Sequence, residues 1–146
     1  MVIEHEELAT LVPHKNKMFI IDRITDADAN NWSIQSETKI TENFMFFDTS
    51  INAVPNYACF EIIAQTISAL TGLYARENNL PPNMGFILSV SNLSFSFDDI
   101  KPGQTVTVKA VRESAVSNVY SFVSEILIDG VLLGSGKLTV MEVIQN

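Results

Sequence analysis

The chain is short of the residues on which most enzymatic chemistry depends. Its 146 residues include one cysteine, Cys59, and two histidines, His5 and His14. A single cysteine excludes an internal disulfide and fits a reducing compartment. No metal-ligand spacing links Cys59 to either histidine, so no metal is expected, and no cofactor either. The six glycines are scattered and none opens a phosphate-binding loop. Basic residues are also scarce, nine against 17 acidic ones, for a net charge of −8. That balance argues against nucleic acid as a partner, since a duplex needs a basic footprint. The N-terminus, "MVIEHEELAT", lacks the basic start and apolar core of a secretory leader, and no stretch reads as a bilayer span. A cytoplasmic protein is expected.

What the chain has is apolar residues, 47% of the total, enough for one folded domain over 1–146 with a sizeable core. Glu4 to Val12 suits one or two helical turns, stopped by Pro13. Met18 to Ile24 reads as a strand, "DADANN" as a turn, and Trp32 to Ile40 as a second strand. In that second strand Trp32, Ile34, Ser36, Thr38 and Ile40 share one face. A long helix is expected from Pro55 or Asn56 to about Asn79, before Pro81 and Pro82. Its middle is apolar almost all round, so protein must surround it. Four strand-like runs follow, about Gly85–Phe97, Thr105–Arg112, Val119–Ile128 and Leu132–Val143, with turns at Pro102-Gly103 and Asp129-Gly130. The architecture is α+β, one central helix wrapped by an antiparallel sheet. A sheet covers one side of a helix, so the apolar helix suggests a second subunit on the other side.

Glu61 is the anomaly, a carboxylate one turn into an apolar helix between Phe60 and Ile62. Such a group is costly unless it is paired or neutralised. It either reaches a local donor or an exposed helix edge, or it serves as an acid. Gln65 lies at i+4, on the same face, and can hydrogen-bond it. His14 follows Pro13 and stands beside Lys15 and Lys17; by itself it reads as a turn residue. His5, among acidic neighbours, reads as surface, and Cys59 as a small buried core residue. Tyr57, Phe60, Phe44, Phe46 and Phe47 are either core or the lining of an acyl channel. Asp98 and Asp99 read as a solvated turn.

"LVPHKNKMFIIDRI" followed by "VPNYACFEIIAQ" resembles the hot-dog β-hydroxyacyl-acyl-carrier-protein dehydratases. Pro55, Glu61, Ala64 and Gln65 match the helix motif of that family without a gap, and "MGFILSVSNLSFSF…IKPGQTV" is similar to its later strand and Pro-Gly turn. Three features depart from the pattern. The loop that carries the family's catalytic histidine is "FMFFDTS" here and has none. Asn56 replaces a glycine at the helix start, and Asp98 and Asp99 replace basic residues. The likeness is closer to the dehydratase-like hot-dog proteins of aryl polyene-type gene clusters, through Pro13-His14 with Met18, Glu61 with Ala64-Gln65, and Gly85-Phe86-Ile87.

The resemblance implies dehydration of a 3-hydroxyacyl thioester on an acyl carrier protein, in fatty acid-like or polyene biosynthesis. His14 would be the base and Glu61 the acid that protonates the departing hydroxyl. Asn56, Tyr57, Gln65, Gly85 and Phe86 would contact substrate, with the helix-start N–H groups near Asn56 and Tyr57 facing the thioester oxygen. A homodimer, or a heterodimer with another hot-dog subunit, is implied. The alternatives are a hot-dog thioesterase, in which Glu61 activates water, and a non-catalytic subunit of a heteromeric dehydratase, which the histidine-free loop favours. A patch of Lys15, Lys17 and Arg23 would offset the repulsion between this acidic chain and an acidic carrier.

Overall fold

A computed structural model describes residues 2–11, 19–80 and 84–143. The elements run β1 (Ile3–Glu4), α1 (His5–Leu8), β2 (Arg23–Asp28), β3 (Ser33–Lys39), β4 (Val54–Pro55), α2 (Ala58–Glu77), β5 (Met84–Phe95), β6 (Asp99–Ile100), β7 (Thr105–Val116), β8 (Val119–Ile128) and β9 (Val131–Val143). Seven strands form an antiparallel sheet in the order β1-β2-β3-β7-β8-β9-β5, and β4 and β6 form a separate pair. α2 lies against β3 and β7 at the middle of that sheet. One long helix wrapped by one large antiparallel sheet is the hot-dog fold.

Alternation sets the faces. Ile34, Ser36, Thr38 and Ile40 point inward from the β3 region, with Val106, Val108 and Ala110 beside them on β7. From α2 they meet Ile62, Ile63, Leu70 and Leu73, all fully buried, each contributing about 1.5–3 kcal/mol by leaving water. The Asp129-Gly130 turn joins β8 to β9 with both residues at positive φ, +49° and +84°, as a tight two-residue hairpin requires.

Three expectations change. α2 starts at Ala58, because Pro55 pairs with Asp99 in the small sheet instead of opening the helix. β2 starts at Arg23, not Met18. Phe19, Ile20 and Ile21 are buried, but their backbone lies outside the sheet and is held by side chains, as described below. α2 also has the length and mean hydropathy, 1.3, of a membrane span, although 61% of that apolar window is buried inside the fold.

The helix is covered on both sides within one chain. The sheet takes one side. Leu8, Leu11 and Phe19–Ile21 belong to the same core and come from the N-terminal segment. Gly72 of α2 makes this possible: a Cβ there would lie 2.1 Å from the Leu11 carbonyl oxygen. An uncovered apolar helix therefore supplies no argument for a second subunit. The sheet itself ends on β5, twelve residues long, with Ser89, Ser91, Asn92 and Ser94 exposed.

Candidate active site

Glu61 stands in the first turn of α2, half-buried, and its neighbour Gln65 is completely buried. Their i,i+4 spacing brings them together: Gln65 Nε2 donates to Glu61 Oε1 at 3.0 Å. Gln65 Oε1 accepts the backbone N–H of Ile20, also at 3.0 Å. The N–H is only a donor, so it fixes the amide: oxygen towards Ile20, nitrogen towards the carboxylate. The sequence reading had Gln65 touching substrate. With no exposed surface and an amide that spans Ile20 and Glu61, its place is behind the carboxylate, holding it.

Ile20 belongs to a short strap, Phe19–Ile21, that runs across α2 before β2 begins. Glu61, Gln65, Ser68 and Gly72 fall within about 60° of one another around a 3.6-residue helix and make a single polar and small-residue stripe. The strap rests on this stripe at Gln65, and Leu11 rests on it at Gly72. His14, Lys15 and Lys17 fall between these two anchors in sequence and lie outside the described residues.

The start of α2 is also tied down. The Asn56 N–H donates to the Asp98 carbonyl at 3.0 Å, and its Nδ2 donates to the Phe97 carbonyl at 2.8 Å. Asn56 was expected to offer its N–H to a thioester oxygen, but that N–H is already bonded within the fold. Cys59 and Phe60 N–H groups bond back to Asn56 and Tyr57 carbonyls. Among the described residues, the backbone N–H groups of Tyr57 and Ala58 carry no acceptor, and they stand at the positive end of the helix dipole. Tyr57 is 66% exposed. Asp98 and Asp99 are less a free turn than a brace, since Asp98 accepts from Asn56 and Asp99 pairs with Pro55.

Gly85 and Phe86 lie at the opposite end of β5 from the start of α2. They open β5, opposite Glu142 and Met141 of β9, while the Phe97 end of the same run bonds Asn56. Along the strand the two ends are eleven to twelve residues apart, about 35–40 Å if fully extended. Cys59 is fully buried, and burial pushes its thiol up to about 12, so it is no nucleophile. Phe44, Phe46, Phe47 and Phe60 pack partly buried against the core, and Met45 and Ile51 of the same loop are exposed near the start of α2. Arg23 is engaged by Glu37, through Nε at 3.0 Å and Nη2 at 2.8 Å; that carboxylate raises the guanidinium's pKa. Two surface depressions of about 290 and 330 Å³ lie on the sheet, around Lys109 and Glu125 and around Arg23 and Lys39, and neither includes Glu61.

Sequence reasoning passed over two residues of this arrangement. Gly72 carried a signal, since an isolated glycine inside a helix marks close backbone approach. His5 carried none: its acidic neighbours gave no hint that its Nδ1 lies 2.8 Å from the Ile21 carbonyl.

The family model described as "ApeP-like: ApeP dehydratase" matches residues 6–145, nearly the whole chain. This chain belongs to the ApeP-like dehydratase family. A curated relative from Rickettsia akari, named 3-hydroxyacyl-[acyl-carrier-protein] dehydratase FabZ, is 28% identical over 145 residues, with 97% of each chain covered. Among solved structures, the dehydratase heterocomplex ApeI:P from Xenorhabdus doucetiae aligns with a TM-score of 0.85 at 15% identity, covering 94% of this chain and 91% of that one. A hypothetical thioesterase with coenzyme A from Streptococcus pneumoniae aligns at 0.64 and 12% identity, over 84% and 86%. At these identities both structures share the fold with this ApeP-like chain, and the match of the family model carries the membership.

Proposed function

We propose that this chain dehydrates a 3-hydroxyacyl thioester carried on an acyl carrier protein to the trans-2-enoyl thioester. The observation that carries the reading is the bonded series Ile20 N–H to Gln65 to Glu61, which holds one carboxylate at the start of an otherwise apolar helix. His14 takes the proton from C2, the C2=C3 double bond forms, and the C3–O bond breaks as Glu61 protonates the leaving hydroxyl to water. The N–H groups of Tyr57 and Ala58 meet the thioester oxygen as negative charge gathers there. The pairing of His14 with Glu61 is supported by the two anchors, Leu11 and Ile20, which hold both flanks of the histidine segment on the Glu61 stripe.

The FabZ-named relative supports the substrate, and a cytoplasmic location follows from such a carrier. A second hot-dog subunit is proposed as partner. The dehydratase heterocomplex among the neighbours favours it, as does the long terminal strand β5, which offers an edge for pairing.

One observation favours a second reading. The loop over 44–50 holds three phenylalanines and no histidine, which fits a subunit that shapes the site of a partner. The deciding assay supplies hydroxyacyl carrier protein to wild type, His14→Ala and Glu61→Gln, each with and without a co-purified hot-dog partner. Water loss that falls about 10²- to 10⁴-fold in either variant, with the thermal midpoint kept, fits the proposal. Full activity of both variants in the complex establishes the non-catalytic subunit. Release of free acid establishes a thioesterase.

A further inference from the structure

Asparagine is among the residues that most readily cap a helix, its side-chain oxygen accepting an N–H two or three residues on. Asn56, just before α2, uses its side chain differently. Its Nδ2 donates to the Phe97 carbonyl at 2.8 Å, and its own N–H donates to the Asp98 carbonyl at 3.0 Å. A carbonyl only accepts, so the amide nitrogen is fixed towards the corner between β5 and β6. Pro55 has no N–H to give, and both bonds from this side of the corner are therefore made by Asn56. The other side is held as well: Phe97 packs edge-on against Phe95 with centroids 5.4 Å apart, and Asp99 pairs with Pro55. Tyr57, at the N-cap position, makes no side-chain cap. The start of α2 is thus anchored from outside, and among the described residues the Tyr57 and Ala58 N–H groups stay unoccupied. The peptide that carries the Tyr57 N–H begins at the Asn56 carbonyl, which accepts from Cys59 at 3.0 Å. Because a peptide unit is planar, holding Asn56 sets the direction of that N–H.

We propose that Asn56 is a positioning residue for the donors that meet the thioester oxygen, anchoring the first turn of α2 without filling them. The role rests on the reading that a thioester oxygen meets the Tyr57 and Ala58 N–H groups. It holds whether the bound thioester then loses water or is hydrolysed. Asn56 itself touches no reacting atom. What is required is a donor to the Phe97 carbonyl that leaves the helix start open. Aspartate has the same shape, but when ionised it only accepts. It would turn from that carbonyl to the helix N–H groups, where a carboxylate is stabilised.

That difference sets the test. Wild type, Asn56→Ala and Asn56→Asp are compared in the full chain, with the hot-dog partner present where activity needs it. Both variants are expected to lower kcat roughly ten- to a hundredfold with KM little changed, as for a small misplacement of a reacting group. Stability separates them. Asn56→Ala should lower the thermal midpoint, whereas Asn56→Asp should keep it, because a new cap replaces the lost anchor. Activity that simply follows stability, with Asn56→Asp fully active, overturns the proposal, as does equal kcat in all three proteins. A second readout is independent of turnover. The probe is a pantetheine-linked ketone, with CH2 in place of the thioester sulfur and carbon-13 at the carbonyl, which neither dehydrates nor hydrolyses. On binding to wild type its infrared carbonyl band should move to lower frequency, and both variants should lose that shift. The same shift in all three proteins, or none in wild type, overturns the role of Asn56 even if the wild type dehydrates. A wild type that does not dehydrate, with the band responding as described, removes the dehydratase reading and leaves the role of Asn56 standing.

Discussion

Thr38 is 1% exposed, and its hydroxyl has no hydrogen-bond partner among the described residues. Its neighbour on the same face shows what a satisfied hydroxyl looks like there. Thr66 Oγ1 donates to the Ile62 carbonyl at 2.7 Å, so in the 2.8 Å contact between Ser36 and Thr66 it is Ser36 that donates. Both hydroxyls are thus used, while Thr38, one inward position further along β3, is left with the cost of desolvation. Valine has the same shape without the hydroxyl. Thr38→Val should therefore raise unfolding stability by about 1–2 kcal/mol, seen as a higher urea midpoint with an unchanged slope. A fall in the midpoint would show that the hydroxyl has a partner after all. Ser36→Ala has the opposite sign: it removes a bonded donor, and a loss near 1 kcal/mol is expected.

At the scale of elements, α2 works as a rail with two faces. One is apolar and takes the sheet; the other is the stripe of Glu61, Gln65, Ser68 and Gly72 that takes the N-terminal segment. Gly72→Ala tests the second face by sign. Alanine in a helix interior gains about 1 kcal/mol over glycine, so an open site would make this variant more stable. A Cβ here meets the Leu11 carbonyl, and such crowding costs about 1–3 kcal/mol. The expected outcome is a net loss in urea unfolding and a drop in dehydration, because Leu11 leads into the His14 segment. A gain in stability would show that Leu11 is not seated there. The rail was partly legible in the sequence. An apolar run bounded by prolines marks α2, strict alternation marks the buried face of β3, and i,i+4 spacing marks the Glu61–Gln65 bond. The strap was not legible: "FII" is apolar enough for a strand, and only long-range side-chain bonds keep it out of the sheet. Asn56 was misread for the same reason, since its partners Phe97 and Asp98 lie some forty residues away with no local signal.

Over the whole molecule, charge works against the proposed substrate. The net charge is −8, and an acyl carrier protein is acidic too. Among the described cations, Arg23, Arg76 and Lys137 each hold a carboxylate, from Glu37, Glu7 and Glu113. Arg112 lies over the rings of Trp32 and Tyr120, with its guanidinium carbon 4.3 and 5.3 Å from their centroids. Lys39, Lys101 and Lys109 are exposed, on β3, on the turn before β7 and on β7. At a net charge of −8 the long-range interaction with an acidic carrier is repulsive, and repulsion is what salt screens. For the isolated chain, the dissociation constant for an acidic acyl carrier protein should fall a few-fold as ionic strength rises from about 0.01 to 0.15 M, where the screening length shrinks from about 30 to 8 Å. Fluorescence anisotropy with a labelled carrier measures this directly. Binding that weakens over the same range would show that a local basic patch, such as one including Lys15 and Lys17, governs docking in this chain. Repeating the titration with a hot-dog partner bound separates the two sources of recognition. If the partner supplies the basic surface, its presence should reverse the sign of the salt dependence and leave the Gln65-held carboxylate as the contribution of this chain.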